Sequence, residues 1–327
     1  MELAAYSYRE DEREYFEKFG KQYGVKVRLI KEAPSPENAA LAAGCESVSV
    51  ITTAITAEII EKWHEAGVRC ISTRTIGYEH IDCEKAWELG MTVSNVSYSS
   101  GSVADYTVMM ILMVIRRIKY IMKRFEAQDC SLFMKRGREL ANMTVGVIGT
   151  GRIGEHVIKN LSGFGCRLLA YDLYPKESVG RMAEYVDFNT LLGESDVITL
   201  HTPATPESQH MICRESIEKM KDGAVIINTA RGSLIDTDDL IDALESGKIG
   251  AAGLDVIENE MGIYYGDHRY KVIHNRQRAV LNEMPNVLLL PHTAFFTDQA
   301  VSDMVEYSIV SCLNTVEGRE NPWEIKK

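Results

Sequence analysis

The sequence predicts an α/β protein of two domains, each built on a doubly wound parallel sheet. Three observations carry that expectation. The chain has 327 residues, about two domains at roughly 150 residues each. Apolar strand-like runs alternate with stretches of helical period, which is the rhythm of βαβ units and a parallel sheet. That rhythm occurs as two series, with one long helical pattern between them.

In the first series, strand-like runs fall at residues 3–6, 25–30, 48–51, 69–72 and 92–96, with helical period over 10–23 and 57–66. The second series places strands at 144–148, 167–171, 197–200, 224–228, 251–254 and 287–290. Residues 102–126 between them read as one long helix. Its core, VMMILMVI, is apolar on every face, so it must be covered all round, by core packing, a second domain or a second subunit. The last pattern, 298–317, carries Val301, Met304, Val305, Ile309 and Leu313 at helical spacing. No strand of the second series remains for it, so it is expected to return to the first domain.

Composition removes several classes of function. Hydrophobic residues are 45% and charged residues 25%, the proportions of a soluble globular chain. With 36 Lys and Arg against 47 Asp and Glu, the net charge is −11, which argues against nucleic acid or an anionic membrane as a partner. Seven cysteines (45, 70, 83, 130, 166, 213 and 312) are scattered and never spaced as CxxC. They form neither a disulfide framework nor a zinc ribbon, and a reducing cytoplasm is the expected location. The acidic start, MELAAYSYREDEREYF, does not read as a secretory signal. The longest apolar run, 108–115, falls well short of the roughly 20 residues that span a bilayer.

The segment TVGVIGTGRIGEHVIKNLSGFGCRLLAYD sets Gly149, Gly151 and Gly154 between a strand and a helix, then a second strand ending in Asp172, 18 residues past the last glycine. This is the dinucleotide fingerprint in its full context. Gly149 permits the tight turn, Gly151 lets the backbone approach a pyrophosphate, and Gly154 lets the helix pack on the strand. Asp172 accepts ribose hydroxyls and repels a ribose phosphate. No arginine occurs in 172–176, so NAD is favoured over NADP.

Open α/β sheets place ligands at the carboxyl ends of their strands, and three such segments carry chemistry. Arg231 follows the strand at 224–228; its planar guanidinium can hold a carboxylate by two hydrogen bonds. His292 follows the strand at 287–290 and can pass a proton near neutral pH. Glu260, in AAGLDVIENE, can stabilise the imidazolium. Each has a plainer alternative: a surface ion pair for Arg231, a solvated charge for Glu260, a helix cap or packed core histidine for His292. His201, at another strand end, rivals His292, whereas His64, His80, His156, His210, His268 and His274 read as surface residues. No metal-ligand spacing stands out, so no metal is expected.

The motifs STRTIGYEHID, NVSYSSGSVADYT, VGVIGTGRIG, LHTPATPESQHMI, INTARGSLIDTDDL, AAGLDVIENE and PNVLLLPHTAFFT span nearly the whole chain. They resemble the D-specific 2-hydroxyacid dehydrogenase family, and within it the D-lactate dehydrogenases, including those of the vancomycin-resistance type. The PHTAFFT ending and the insertion at 261–284 favour that branch. The resemblance implies a Rossmann nucleotide domain (101–296) inserted into a flavodoxin-like substrate domain (1–100 and 297–327). It also implies a homodimer built on the nucleotide domain, which suits the apolar helix.

By the same resemblance, Arg231 binds the substrate carboxylate, His292 is the acid/base and Glu260 its partner. Ile76 and Gly77 would contact the substrate through backbone groups and Tyr98 through its hydroxyl. Arg152, Ile153, Thr202, Pro203, Ser208, Thr229, Ala230 and Asp255 would join the cofactor site. Where the family has proline, this chain reads Ser97 and then Ser100 and Gly101, which predicts a more flexible hinge segment. The expected reaction is reduction of pyruvate to D-lactate by NADH. Reduction of a larger 2-oxo acid, phenylpyruvate or a branched one, is the near alternative, and an NAD(H)-sensing corepressor-like binding protein is the distant one.

Overall fold

The computed structural model describes all 327 residues. It divides into two compact units, one of Met1–Ser99 with Phe296–Lys327 and one of Ser100–Phe295. The first unit holds strands β1 (Glu2–Ala5), β2 (Lys26–Leu29), β3 (Ser47–Val50), β4 (Cys70–Thr73) and β5 (Thr92–Ser94), all parallel, in the order β2-β1-β3-β4-β5. That is the flavodoxin-like order. Every residue of β3 and β4 is buried, as expected of central strands covered by helices on both faces, so these strands read as continuous runs rather than alternations.

One face of this sheet packs Ile59, Ile60 and Trp63 from the helix Ala57–Glu65. The other packs Phe16 and Phe19 from Arg13–Tyr23 together with Val305, Ile309 and Cys312 from Asp298–Val316. The terminal helix therefore belongs to the first unit, because its apolar positions complete the cover over β1 and β4. Arg74, just past β4, is fully buried; it pairs with the buried Glu12 at 2.9 Å and donates to Ser49 Oγ and the Tyr6 carbonyl, both at 3.0 Å. Removing either charge would strand the other in the interior, a loss of about 3–5 kcal/mol.

In the second unit, β6 (Thr144–Ile148), β7 (Arg167–Tyr171), β8 (Glu184–Tyr185), β9 (Val197–Leu200), β10 (Ala224–Asn228), β11 (Ile249–Leu254) and β12 (Val287–Leu289) form one parallel sheet in the order β12-β11-β10-β9-β6-β7-β8. The order reverses at β6, which starts the glycine turn, so that turn lies at the switch point where such sheets bind nucleotides. The two residues of β8 are too few to show any sequence period. Separate clusters of buried aliphatic side chains cover the two faces.

The long helical pattern is a correction. It forms two helices, Ser100–Ile115 and Ile118–Glu126, broken at Arg117, whose φ is +57°. The Ile115 carbonyl accepts from the Arg138 N–H rather than from a residue one turn on. Within the single chain most of the first helix is buried, and Met109 is left exposed. All seven cysteines are free, and no helix is long and apolar enough to cross a membrane.

Candidate active site

The glycine turn joins β6 to the helix Arg152–Ser162. Gly149 has φ +89°, and a Cβ there would lie 2.7 Å from the His201 backbone. Gly154 packs against the Gly149 carbonyl with no room for a side chain. Gly151, by contrast, faces open space, and as the residue before the helix it supplies no side-chain cap. The first N–H groups of that helix, with Arg152 and Ile153 in its first turn, are thus available to a phosphate.

Asp172, at the end of β7, accepts from Thr150 N at 2.6 Å, Thr150 Oγ1 at 3.0 Å and Tyr174 N at 2.8 Å. Burial pushes its carboxyl up, but these donors and the nearby Lys176 outweigh it and hold the group below the usual range. An ionised carboxylate beside the turn suits ribose hydroxyls. Lys176 pairs with Glu155 at 3.1 Å. The residues present fit a dinucleotide without a ribose phosphate. Thr202 and Pro203 follow β9; Ser208 Oγ donates to the Pro203 carbonyl at 2.8 Å and accepts from Thr205 N at 2.8 Å, shaping that loop. Thr229 is buried, its hydroxyl 2.8 Å from Thr107 Oγ1.

Arg231 leaves β10 through a turn that Asn228 builds: the Asn228 side chain donates to the Arg231 carbonyl at 2.8 Å and accepts from Ala230 N at 3.0 Å. The following Gly232 lies flush against the Ile257 and Glu258 backbone, which excludes any Cβ. Sequence reading did not single out Asn228, although an asparagine ending a strand before a turn is a recognisable signal.

His292 has φ +55°, and Glu260 Oε1 lies 2.5 Å from its Nδ1. Glu260 Oε2 accepts from Ile257 N at 3.0 Å, so the carboxylate is fixed on both oxygens. With Nδ1–H donated to Glu260, Nε2 is the nitrogen left to exchange a proton. Tyr265 and Phe295 stand beside the imidazole, with ring centroids 5.9 and 6.5 Å away, and the Tyr265 hydroxyl donates to the His292 carbonyl at 3.0 Å. Tyr265 lies in the insertion at 261–284, where nothing in the sequence marks it.

Asp255, fully buried, accepts from Thr293 N and Ala294 N, each at 2.9 Å, while its carbonyl accepts from His292 N at 2.7 Å. Burial raises its carboxyl above the ordinary value against these donors. The structure thus places this expected cofactor residue directly under the His292 turn.

The rival histidine is unsuited to proton transfer. His201 Nδ1 is buried without a partner, Nε2 lies 2.9 Å from Thr199 Oγ1, and burial lowers the pKa to about 3. Glu258 is also separate from the pair, bonding His210 and Thr237. His210, read from sequence as a surface residue, has its side chain 35% exposed and sits between two carboxylates.

Ile76, Gly77 and Tyr98 belong to the first unit. The Ile76 carbonyl accepts from Asn95 Nδ2 at 2.7 Å and the Gly77 carbonyl from Thr75 Oγ1 at 2.6 Å. Ser97 accepts from Trp323 Nε1 at 3.0 Å and Ser99 N donates to Asp303 at 3.0 Å, so the stretch lacking the family's proline is tied down by hydrogen bonds.

Known proteins resemble this chain over nearly its whole length. Residues 108–294 match the family model described as the D-isomer specific 2-hydroxyacid dehydrogenase, NAD binding domain. The chain is 43% identical over 320 residues to a D-specific alpha-keto acid dehydrogenase of Enterococcus faecium, covering 98% of each. It is 41% identical over 314 residues to an aromatic 2-oxoacid reductase of Clostridium sporogenes, covering 95% of each. Among solved structures it is similar to the NAD+ form of D-lactate dehydrogenase from Lactobacillus jensenii, with TM-score 0.87, 32% identity and full coverage of both chains. A nucleotide turn at the switch point, an ionised Asp172 and full-length likeness to such proteins have one common explanation: the chain belongs to the D-isomer specific 2-hydroxyacid dehydrogenases and is an NAD-dependent oxidoreductase.

Proposed function

We propose that the enzyme reduces pyruvate to D-lactate with NADH. The observation that carries the catalytic assignment is the Glu260–His292 pair at 2.5 Å, on the same strand-end edge as Arg231. The hydride for the carbonyl carbon comes from bound NADH. Arg231 grips the substrate carboxylate, with Ile76, Gly77 and Tyr98 as further substrate contacts, and so turns the carbonyl toward His292. His292 Nε2–H gives its proton to the oxygen as negative charge develops there. Glu260 stabilises the imidazolium before transfer, and in the oxidative direction the neutral imidazole takes the proton back. Gly149, Gly151, Arg152, Ile153, Gly154, Asp172, Thr202, Pro203, Ser208, Thr229, Ala230 and Asp255 form the cofactor site. Residues 101–296 make up the nucleotide domain, and 1–100 with 297–327 the substrate domain.

A larger 2-oxo acid is the second reading, favoured by likeness to the aromatic 2-oxoacid reductase. NADH consumption with pyruvate, phenylpyruvate and a branched-chain 2-oxo acid separates the two. Pyruvate should have the highest kcat/KM; a clear lead for phenylpyruvate would transfer the assignment.

The enzyme works as a homodimer through the second unit. Phe125, Leu132 and Phe133 are 66%, 89% and 71% exposed, within one stretch that also carries exposed Met122 and Met134, and a second copy would cover such a patch. The free cysteines, Cys130 exposed among them, suit a reducing cytoplasm.

A further inference from the structure

We propose that protonated His210 is a positioning residue: by bridging Glu258 and Asp236 it locks the turn after Arg231 and so holds the guanidinium where the substrate carboxylate binds. The proposal rests on the reading of Arg231 as the substrate anchor.

Both ring nitrogens of His210 face carboxylate oxygens. Nε2 lies 2.7 Å from Glu258 Oε1, and Nδ1 lies 3.4 Å from Asp236 Oδ2. The Glu258 contact is a hydrogen bond and the Asp236 contact an ion pair; ionised carboxylates only accept, so both are attractive only when each nitrogen carries a proton. The charged groups facing the ring are Glu258 from the loop after β11, and Asp236 and Asp239 from the start of the helix Thr237–Ser246. All are acidic. They raise the pKa of His210, the Glu258 hydrogen bond foremost.

The same side chains grip the segment that follows Arg231. Glu258 Oε2 accepts from Thr237 N at 3.0 Å and Thr237 Oγ1 at 2.6 Å. Asp236 Oδ1 caps that helix by accepting from Asp238 N and Asp239 N at 3.1 Å, leaving Oδ2 toward the histidine. The backbone repeats the pattern: His210 N donates to the Ser233 carbonyl at 2.8 Å, Ile212 N to that of Leu234 at 3.0 Å, and Asp236 N to that of Ile212 at 2.8 Å. Gly232 meets the Ile257 and Glu258 backbone on the other side. Residues 232–237 are therefore held between 210–212 and 257–258, with the imidazolium joining the two. His210 itself has φ +50°, a conformation a histidine keeps only when its surroundings impose it.

Loss of the His210 proton with rising pH turns one ring nitrogen into a lone pair facing a carboxylate. The turn then loosens, and substrate affinity falls while the proton chemistry at His292 is untouched. The test is His210→Gln in the full-length enzyme, with steady-state reduction of the most active 2-oxo acid by NADH from about pH 6 to 9. Glutamine can keep one hydrogen bond but carries no charge. At the acid end, KM for the 2-oxo acid should rise about tenfold, the size of one charge-assisted hydrogen bond, with kcat within about twofold. The ratio of variant to wild-type KM should then fall toward one as pH rises, since the wild type loses its own clamp. Glu258→Gln should show the same pattern and serves if His210→Gln does not fold. A pH-independent KM ratio, a loss of kcat at unchanged KM, or weaker NADH binding by fluorescence with KM unmoved would overturn the proposal. Arg231→Lys, measured in parallel, separates the two ideas. If it leaves KM and kcat/KM unchanged, the anchor reading fails; if it impairs them while His210→Gln does nothing, only the clamp fails.

Discussion

Replacing Glu260 by glutamine is the sharpest probe of the proposed proton pair. The carboxylate serves two donors, His292 Nδ1 at 2.5 Å and Ile257 N at 3.0 Å. Glutamine has one oxygen and one NH2, so one of the two N–H groups must face another donor. A hydrogen bond to a charged group is worth roughly 1.5–3 kcal/mol. Both side chains are about a quarter exposed, and solvent screening favours the lower half of that range, about 1.5–2 kcal/mol. At 1.4 kcal/mol per factor of ten, kcat/KM for the 2-oxo acid should fall roughly 10- to 30-fold.

Reduction starts from the imidazolium, which the variant no longer faces with a carboxylate. If the affinities for NADH and NAD+ are both unchanged, the overall equilibrium constant requires hydroxy-acid oxidation to lose the same factor at each pH. The assay is nicotinamide absorbance in both directions, with deuterated NADH to establish that hydride transfer limits the rate. Wild-type efficiency in the variant at every pH would remove Glu260 from the mechanism. A loss confined to NADH binding would make it a cofactor residue.

Three further outcomes are expected. His201→Gln should leave the pH profile of reduction unmoved between about pH 5 and 9. A histidine with a folded pKa of about 3 makes the wild type lose stability as pH falls below the unfolded value, by about 1.4 kcal/mol per pH unit between roughly pH 6 and 4; urea unfolding should show that slope shallower in the variant, and an equal slope would contradict the buried neutral ring. Asp172→Asn should weaken NADH binding and narrow the preference over NADPH. Because the Asp172 pKa is held below its usual value, its stabilising effect is fully present above the ordinary carboxylate range and is lost only as pH falls through the lowered folded value, so the pH-dependent part of the difference between variant and wild type should vanish in strong acid. On the proposed dimer, the wild type should sediment as a dimer and Phe125→Glu with Phe133→Glu as a folded monomer; a monomeric wild type would refute the dimer, and an unaltered dimer in the variant would place the interface elsewhere.

The chain's own pattern determined the two-sheet architecture, because strands buried on both faces must be continuous apolar runs and helices between them must carry a 3.6-residue period. It determined the nucleotide turn as well, since only glycine fits the +89° φ of Gly149 and the contact of Gly154 with the Gly149 carbonyl. Strands β6, β7, β9 and β10 have the limits read from sequence. What the pattern left open involves partners distant in sequence. At the break by Arg117, the Ile115 carbonyl is taken by the N–H of Arg138, a residue distant in sequence. His201 and His292 both follow strand ends, and only packing makes one a buried neutral ring and sets the other 2.5 Å from Glu260. His210 and Glu258 are 48 residues apart, and neither has a local signal. Secondary structure follows from contacts within a few residues, which periodicity records. The protonation state of a side chain follows from burial and from charges brought together across the fold, which no local pattern encodes.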